Sequence, residues 1–219
     1  DERAQDDILI KTEDWKFEER LSKEFEALGF FISDHPLNQF KEIFDDYKIK
    51  DYSSFVTSEN LKTSNIAATL LKVQERKTTK GNSYAVLKLT DLTSVFELFI
   101  FSDVLDLNRE ILKEGSSIIL TIHKNVSNDE NRLTRINVQK ISSLKELFKS
   151  PINEVLFDVK SEKQIEEISA ILKDEGKTII NINLVAEDNM LKFRLKNTRK
   201  LDRKSLNLLR NKDIQAIIY

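Results

Sequence analysis

The chain has 219 residues and a formal net charge of −2, and its 40% hydrophobic and 33% charged residues are ordinary for a globular protein. Cysteine is absent, which excludes disulfides and thiolate metal sites. No apolar run approaches the roughly 18–20 residues that span a membrane, and the acidic start lacks the basic and apolar regions of a signal peptide, so we expect a cytoplasmic protein without membrane contact.

The charge is unevenly distributed along the chain. Residues 1–65 contain 9 basic and 16 acidic side chains, a net charge of −7. Residues 66–219 contain 26 and 21, a net charge of +5. Because basic surface attracts phosphate, we expect any contact with nucleic acid in the later part of the chain.

Helical spacing of apolar residues predicts that residues 1–62 form a helical segment. The apolar face of its first helix comprises Phe17, Leu21, Phe25 and Leu28. Gly29 follows, and glycine is the preferred residue after a helix end. A second helix is predicted at about 37–47, behind a proline that suits a first helical turn. The polar residues 57–65 indicate a linker.

From residue 66 the apolar residues alternate with a period of two, which predicts strands. The strands are expected at about 66–76, 83–91, 94–101, 117–126 and 131–142. A short helix is predicted at 102–113, between the third and fourth strands. Three strands, a helix and two strands is the order of the oligonucleotide/oligosaccharide-binding (OB) barrel, so we predict an OB-fold domain over residues 63–145. Another small antiparallel sheet is the alternative.

A second set of elements predicts a small α+β module over residues 150–219. Strands are expected at 154–159, 178–185, 190–195 and 214–219, with helices beginning at Ser161 and Asp202. The predicted fold class is therefore α+β and multidomain, with an N-terminal helical segment, a five-stranded OB barrel and a small C-terminal α+β module.

A hairpin with a basic tip joins the first two predicted barrel strands through Thr79-Lys80-Gly81-Asn82. The binding surface of an OB barrel lies on its second and third strands, where alternation points Tyr84 and Phe99 outward. Cations beside exposed aromatic rings are typical of single-strand binding. The candidate nucleic-acid-binding residues are Arg76, Lys77, Lys80, Tyr84, Lys88, Phe99, Arg132 and Arg135. Alternatively, Tyr84 and Phe99 cover a barrel end or pack on a neighbouring domain. The negative charge of Glu97, on the same face, repels phosphate.

A second basic cluster lies in residues 192–204. Its candidate partner-binding residues are Lys192, Arg194, Lys196, Arg199 and Lys200. A solvated sheet face is the alternative interpretation. The sequence contains neither a phosphate-binding glycine-rich loop nor a nucleophile elbow. We therefore predict no catalytic residue, metal or cofactor in this chain.

The segment Glu24-Phe-Glu-Ala-Leu-Gly-Phe-Phe-Ile-Ser-Asp-His-Pro-Leu37 closely resembles the sequence that precedes the OB domain in the alpha subunit of bacterial replicative DNA polymerase III. The hairpin tip and residues 89–101 also resemble that family. The match is specific over residues 18–37, good to about 143 and weaker over 150–219. The sequence departs from the family pattern at Phe31, usually Tyr, at Ser94, usually Gly, and at Thr79, usually a second basic residue.

The resemblance implies a C-terminal fragment of a much longer polymerase. It implies that the OB domain contacts single-stranded template DNA and that the C-terminal module docks the clamp-loader tau subunit. The catalytic aspartates and the Mg²⁺ of the parent DNA-directed DNA polymerase, and the motif that binds the sliding clamp, would lie upstream. Two other hypotheses remain open: an anticodon-binding OB domain of a class II aminoacyl-tRNA synthetase, or a purely protein-binding scaffold.

Overall fold

The computed structural model describes residues 16–126, 134–186 and 189–219. The chain divides into two compact units, residues 1–145 and 146–219. Each unit contains both helices and strands, so the predicted multidomain α+β class is confirmed. Over the described residues, no helix is long and apolar enough to cross a bilayer.

The first unit begins with four short elements. They are helix α1 (Phe17–Leu28), a 3-10 helix (Pro36–Ile43), strand β1 (Ile49–Lys50) and helix α2 (Tyr52–Thr57). Gly29 ends α1 as predicted, with a φ of 75° and an N–H that donates to the carbonyl of Phe25 at 2.8 Å.

Two predictions for this segment hold only in part. A helix begins at Pro36 as expected, but it is a 3-10 helix and it ends at Ile43 rather than reaching residue 47. The predicted linker at 57–65 is shorter than expected, since residues 58–62 connect the end of α2 at Thr57 to the strand that begins at Thr63. Asn65 already lies in that strand, where its Oδ1 accepts from Thr121 Oγ1 at 2.8 Å.

The barrel follows directly. Its elements are β2 (Thr63–Lys77), β3 (Ser83–Thr90), β4 (Val95–Phe101), α3 (Ser102–Asn108), β5 (Ser117–Val126) and β6 (Thr134–Ser143). All neighbouring pairs in the order β4-β3-β2-β5-β6 are antiparallel, and the sheet curves so that β4 comes near β6, although no ladder joins these two strands over the described residues. This is the strand order of an OB barrel, so the five-stranded prediction is confirmed.

The barrel interior follows the predicted alternation. Its buried side chains from the second and third barrel strands are Ala85, Leu87, Leu89, Phe96, Leu98 and Ile100. Phe55 of α2 is fully buried in the same cluster, so part of the N-terminal segment packs into the barrel core. Helix α3 ends at Asn108 rather than at 113, and the Asn108 amide donates to the carbonyl of Val104 at 2.7 Å.

The second unit is a four-stranded sheet with helices. Helix α4 (Leu144–Lys149) spans the division, followed by β7 (Glu154–Val159), α5 (Glu162–Ile171), β8 (Glu175–Ala186), β9 (Asn189–Arg194), α6 (Arg203–Arg210) and β10 (Gln215–Ile218). The order is β10-β7-β8-β9, in which β7 and β8 are parallel and the other pairs antiparallel. Asp202 caps α6 as predicted, by accepting from the Ser205 N–H at 2.7 Å.

Candidate nucleic-acid interface

A tight turn forms the tip of the β2–β3 hairpin. The Gly81 N–H donates to the Thr78 carbonyl at 2.9 Å, and the Thr78 N–H donates to the Asn82 carbonyl at 2.9 Å. Gly81 has a φ of 85°, a conformation that side-chain-bearing residues rarely adopt. The turn leaves Lys80 exposed at the tip, with Arg76 and Lys77 exposed at the end of β2.

Exposed aromatic rings lie side by side on the outer face of β3 and β4. Tyr84 is paired with Phe101, and Val86 is paired with Phe99. Directly opposite residues of an antiparallel pair share one face of the sheet. Phe99 is 51% exposed and Phe101 60% exposed, whereas Tyr84 is half-buried. We call Tyr84, Phe99 and Phe101 the aromatic strip.

The charges beside the aromatic strip are mixed. Arg76 of β2 lies opposite Tyr84 of β3, and Tyr84 lies opposite Phe101 of β4. A cation therefore stands beside these two rings on the same face of the sheet. Lys88 lies opposite Glu97, so a carboxylate partly offsets this cation on the same face. The most favourable region for a phosphate on this face is therefore the hairpin end rather than the Lys88 end.

A groove of about 440 Å³ separates β4 from β6 on the same side of the barrel. Its lining includes Tyr52, Phe99, Phe101, Arg135 and Asn137. Arg135 is exposed and stands on the opposite wall from the aromatic strip. Arg132 lies outside the described residues.

The buried carboxylate of Asp91 fixes the position of Tyr52, which lines this groove. Asp91 accepts hydrogen bonds from the N–H groups of Tyr52, Thr93 and Ser94, at 2.7, 2.8 and 2.7 Å. Burial alone raises the pKa of Asp91, but these hydrogen bonds outweigh it, so the pKa lies below its ordinary value. The ring of Tyr52 stacks on Phe96 with centroids 3.8 Å apart. Tyr52, and with it one part of the groove lining, is therefore held by a hydrogen bond to the charged Asp91 in the turn between β3 and β4.

The structure brings most of the predicted residues together on one side of the barrel. Arg76, Tyr84, Lys88 and Phe99 share the outer face of three adjacent strands, and Arg135 faces it across the groove. Tyr52 and Phe101 are missing from the predicted set. Alternation along β4 already points Phe101 outward, whereas no local signal connects Tyr52 to a groove formed by distant strands. Whether these residues bind nucleic acid stays a prediction.

The second predicted cluster is divided between β9 and the segment that follows it. Lys192 and Arg194 alternate on β9, which ends at Arg194. Lys196 follows the strand, and Arg199 forms bridges with Glu175 and Thr178 on β8. Lys200 comes next, and its N–H donates to the Asp174 carbonyl at 2.9 Å. Arg194 donates to Asn181 Oδ1 at 3.1 Å and pairs with Glu154 at 3.2 Å. Part of the guanidinium charge is therefore already used within the sheet.

The sequence is similar to alpha subunits of DNA polymerase III from several bacteria. The chain is 29% identical over 176 residues to DNA polymerase III subunit alpha of Rickettsia bellii, covering 74% of this chain and 14% of that protein. It is 28% identical over 172 residues to the subunit of Aquifex aeolicus, covering 75% and 14%. For Rickettsia conorii the identity is 26% over 156 residues, covering 68% and 12%. The resemblance to the alpha subunit of DNA polymerase III is confirmed.

The chain spans only 12–14% of the length of these relatives. No protein-family model matches it. A chain of a replication protein A heterotrimer bound to ssDNA aligns with a TM-score of 0.34 and 13% identity, over 66% of this chain and 37% of that one. A TM-score this low does not establish a shared fold.

Proposed function

We propose that this chain is a non-catalytic, C-terminal part of a DNA polymerase III alpha subunit that acts in replication in the bacterial cytoplasm. Its OB barrel contacts single-stranded template DNA, and its second unit docks the clamp-loader tau subunit. The polymerase active site with its Mg²⁺, and the motif for the sliding clamp, belong to upstream parts of the parent protein. The similarity to alpha subunits supports the setting in replication.

The single observation that carries the DNA contact is the exposed aromatic strip beside a basic hairpin. Base stacking on an aromatic side chain contributes about 1–3 kcal/mol per base and tolerates any base. Arg76, Lys77 and Lys80 supply cations for phosphates at the hairpin end, and Arg135 supplies one across the groove. This combination suits a template strand of arbitrary sequence.

The small number of cations makes the expected binding weak and sensitive to salt. If three or four phosphates are neutralised, the logarithm of the association constant falls with the logarithm of salt with a slope of about −2 to −3. Glu97 opposite Lys88 reduces the attraction further. The barrel therefore assists a larger polymerase in holding the strand rather than capturing DNA alone.

Titration of the chain with a fluorescent single-stranded oligonucleotide at two salt concentrations tests this contact. Phe99→Ala and Phe101→Ala should each weaken binding by roughly tenfold, because each removes one stacking surface. Leu107→Ala is the matched control, since Leu107 is an apolar residue of α3 that is 86% exposed. Lys77→Glu with Lys80→Glu should weaken binding and flatten the salt slope.

Equal binding by the Phe99→Ala variant and the Leu107→Ala control would contradict the stacking role. If the chain shows no salt-dependent binding to single-stranded DNA even at low salt, the DNA contact is contradicted and the protein-binding scaffold hypothesis is favoured. Preference for a folded tRNA over DNA would favour the synthetase hypothesis. Isothermal titration of the chain with purified tau tests the docking, and absence of heat at micromolar concentrations would contradict it.

A further inference from the structure

Strand β9 has an unpaired edge. It is the last strand in the order β10-β7-β8-β9, and among the described residues no strand pairs with its outer side. The Leu195 N–H donates to the Ile180 carbonyl at 2.9 Å, which fixes the alternation of the antiparallel ladder. Phe193, paired with Ile182, therefore bonds to β8, whereas the N–H and C=O groups of Lys192 and Arg194 point away from the sheet.

The two faces of β9 differ in chemistry. Lys192 and Arg194 project on one face, and Arg194 is partly satisfied by Glu154. Leu191 and Phe193 project on the other face, where they are 59% and 40% exposed and lie outside the core cluster of the unit. The edge therefore presents free backbone groups, cations on one side and apolar side chains on the other.

We propose that the β9 edge binds an extended segment of a partner protein in which acidic residues alternate with apolar ones. The segment adds a strand to the sheet, so its backbone bonds to Lys192 and Arg194. Its acidic side chains lie beside those two cations, and its apolar side chains lie beside Leu191 and Phe193, because adjacent strands place neighbouring side chains on the same face. This inference rests on the docking role proposed for the second unit and assigns that role a surface.

Charge argues against a second copy of the chain as the occupant. Antiparallel pairing of two β9 edges would place Lys192 or Arg194 directly beside a like charge, which destabilises a sheet. Lysine on an edge strand commonly protects a protein from pairing with itself. The same cations attract a strand of opposite charge. Single-stranded DNA is disfavoured because the outward backbone N–H and C=O groups of Lys192 and Arg194 match a peptide strand, which DNA cannot supply.

The test uses the whole chain, labelled with ¹⁵N, and a short peptide that alternates glutamate and valine. A peptide of the same composition with the glutamates and valines in separate blocks is the control. We expect the alternating peptide alone to bind, and amide hydrogen exchange to slow at Lys192 and Arg194. The amides of Leu191 and Phe193 already bond to β8, so their exchange should change far less. This readout requires no variant.

Lys192→Pro and Lys192→Thr form a matched pair of variants. Both remove the cation, but only proline removes the outward N–H, and it leaves the ladder to β8 intact. We expect Lys192→Pro to bind the alternating peptide roughly tenfold more weakly than Lys192→Thr, the effect of losing one or two strand hydrogen bonds. Circular dichroism checks that both variants are folded. If Lys192→Pro is unfolded, the hydrogen-exchange experiment on the unmodified chain tests the inference instead.

Several results would overturn the inference. They are equal binding of the two peptides, equal binding by the two variants, self-association that the peptide does not displace, and displacement of the peptide by a single-stranded oligonucleotide. If tau binds but the peptide does not, and Lys192→Pro leaves tau binding unchanged, the edge is excluded while tau docking stands. If the peptide binds and tau does not, the edge stands and tau docking fails.

Discussion

His35 is a half-buried residue that caps the N-terminus of the 3-10 helix. Its Nδ1 accepts a hydrogen bond from the Leu37 N–H at 3.1 Å, which requires the unprotonated ring nitrogen. Burial lowers the pKa of His35 below its ordinary value, although the charges of Asp91 and Asp34 act in the opposite direction. Protonation therefore opposes the folded state.

We expect the first unit to lose stability as the pH falls below about 6.5, the ordinary pKa of histidine in the unfolded chain. The folded-state pKa is depressed, so the contribution of His35 is fully present above that value and is lost as the pH falls toward the folded-state pKa. Urea denaturation between pH 7.5 and 5.5 measures the effect, and the unfolding midpoint of the native sequence should decrease.

His35→Asn should weaken this pH dependence, because an asparagine side chain can accept from the Leu37 N–H without titrating. His123→Asn is the control, since it leaves His35 in place. If the two histidine variants show the same midpoint shift between pH 7.5 and 5.5, the pH dependence of stability does not come from His35.

Helix α2 depends on a side chain from a distant strand. Lys124 of β5 is buried, and its Nζ donates to the carbonyls of Phe55, Val56 and Ser58 at the end of the helix. The ammonium also lies 5.2 Å from the centroid of the Phe55 ring. A six-residue helix is marginal by itself, so this cation, together with burial of Phe55, stabilises it.

Lys124→Met should lower the free energy of unfolding by about 2–3 kcal/mol, because three carbonyls lose their donor while the apolar stem is kept. Hydrogen exchange over residues 52–58 should accelerate more than elsewhere in the barrel. Lys140→Met, at an exposed position of β6, is the control. A loss of stability no larger than that of the control would show that the cation is dispensable.

The same element shows what sequence patterns can and cannot predict. Period-two alternation, a glycine turn and a capping aspartate act over a few residues, so β3, β4 and the start of α6 were predictable. Helix α2 has a local cap, since Asp51 accepts from the Ser54 N–H at 2.8 Å. The end of α2 and the position of Tyr52 in the groove depend instead on Lys124 and Asp91, which are separated from them by tens of residues. The helix predicted at 37–47 ends at Ile43, and the apolar spacing does not predict that end, because Phe44 and Tyr47 continue it.

At the scale of the whole molecule, two hydrophobic cores form within the part of the chain that the structure describes. One cluster comprises residues between 55 and 141, and the other comprises residues between 152 and 214. A change confined to one unit should therefore act mainly on that unit. Gly176 of β8 offers such a change, because a Cβ at this position would overlap the backbone of Arg199 and Lys200. That close approach explains why a glycine occupies this position.

Gly176→Ala should destabilise the second unit by about 1–3 kcal/mol, the usual cost of overpacking. Mass-spectrometric hydrogen exchange should show lost protection in peptides from 175–186 and 203–218, while peptides from 66–101 keep theirs. Lys177→Ala, at the exposed neighbouring position, is the control and should change neither set. Equal loss of protection in both units would mean that they unfold as one cooperative body. Loss restricted to the second unit would allow its docking surface to be varied without disturbing the barrel.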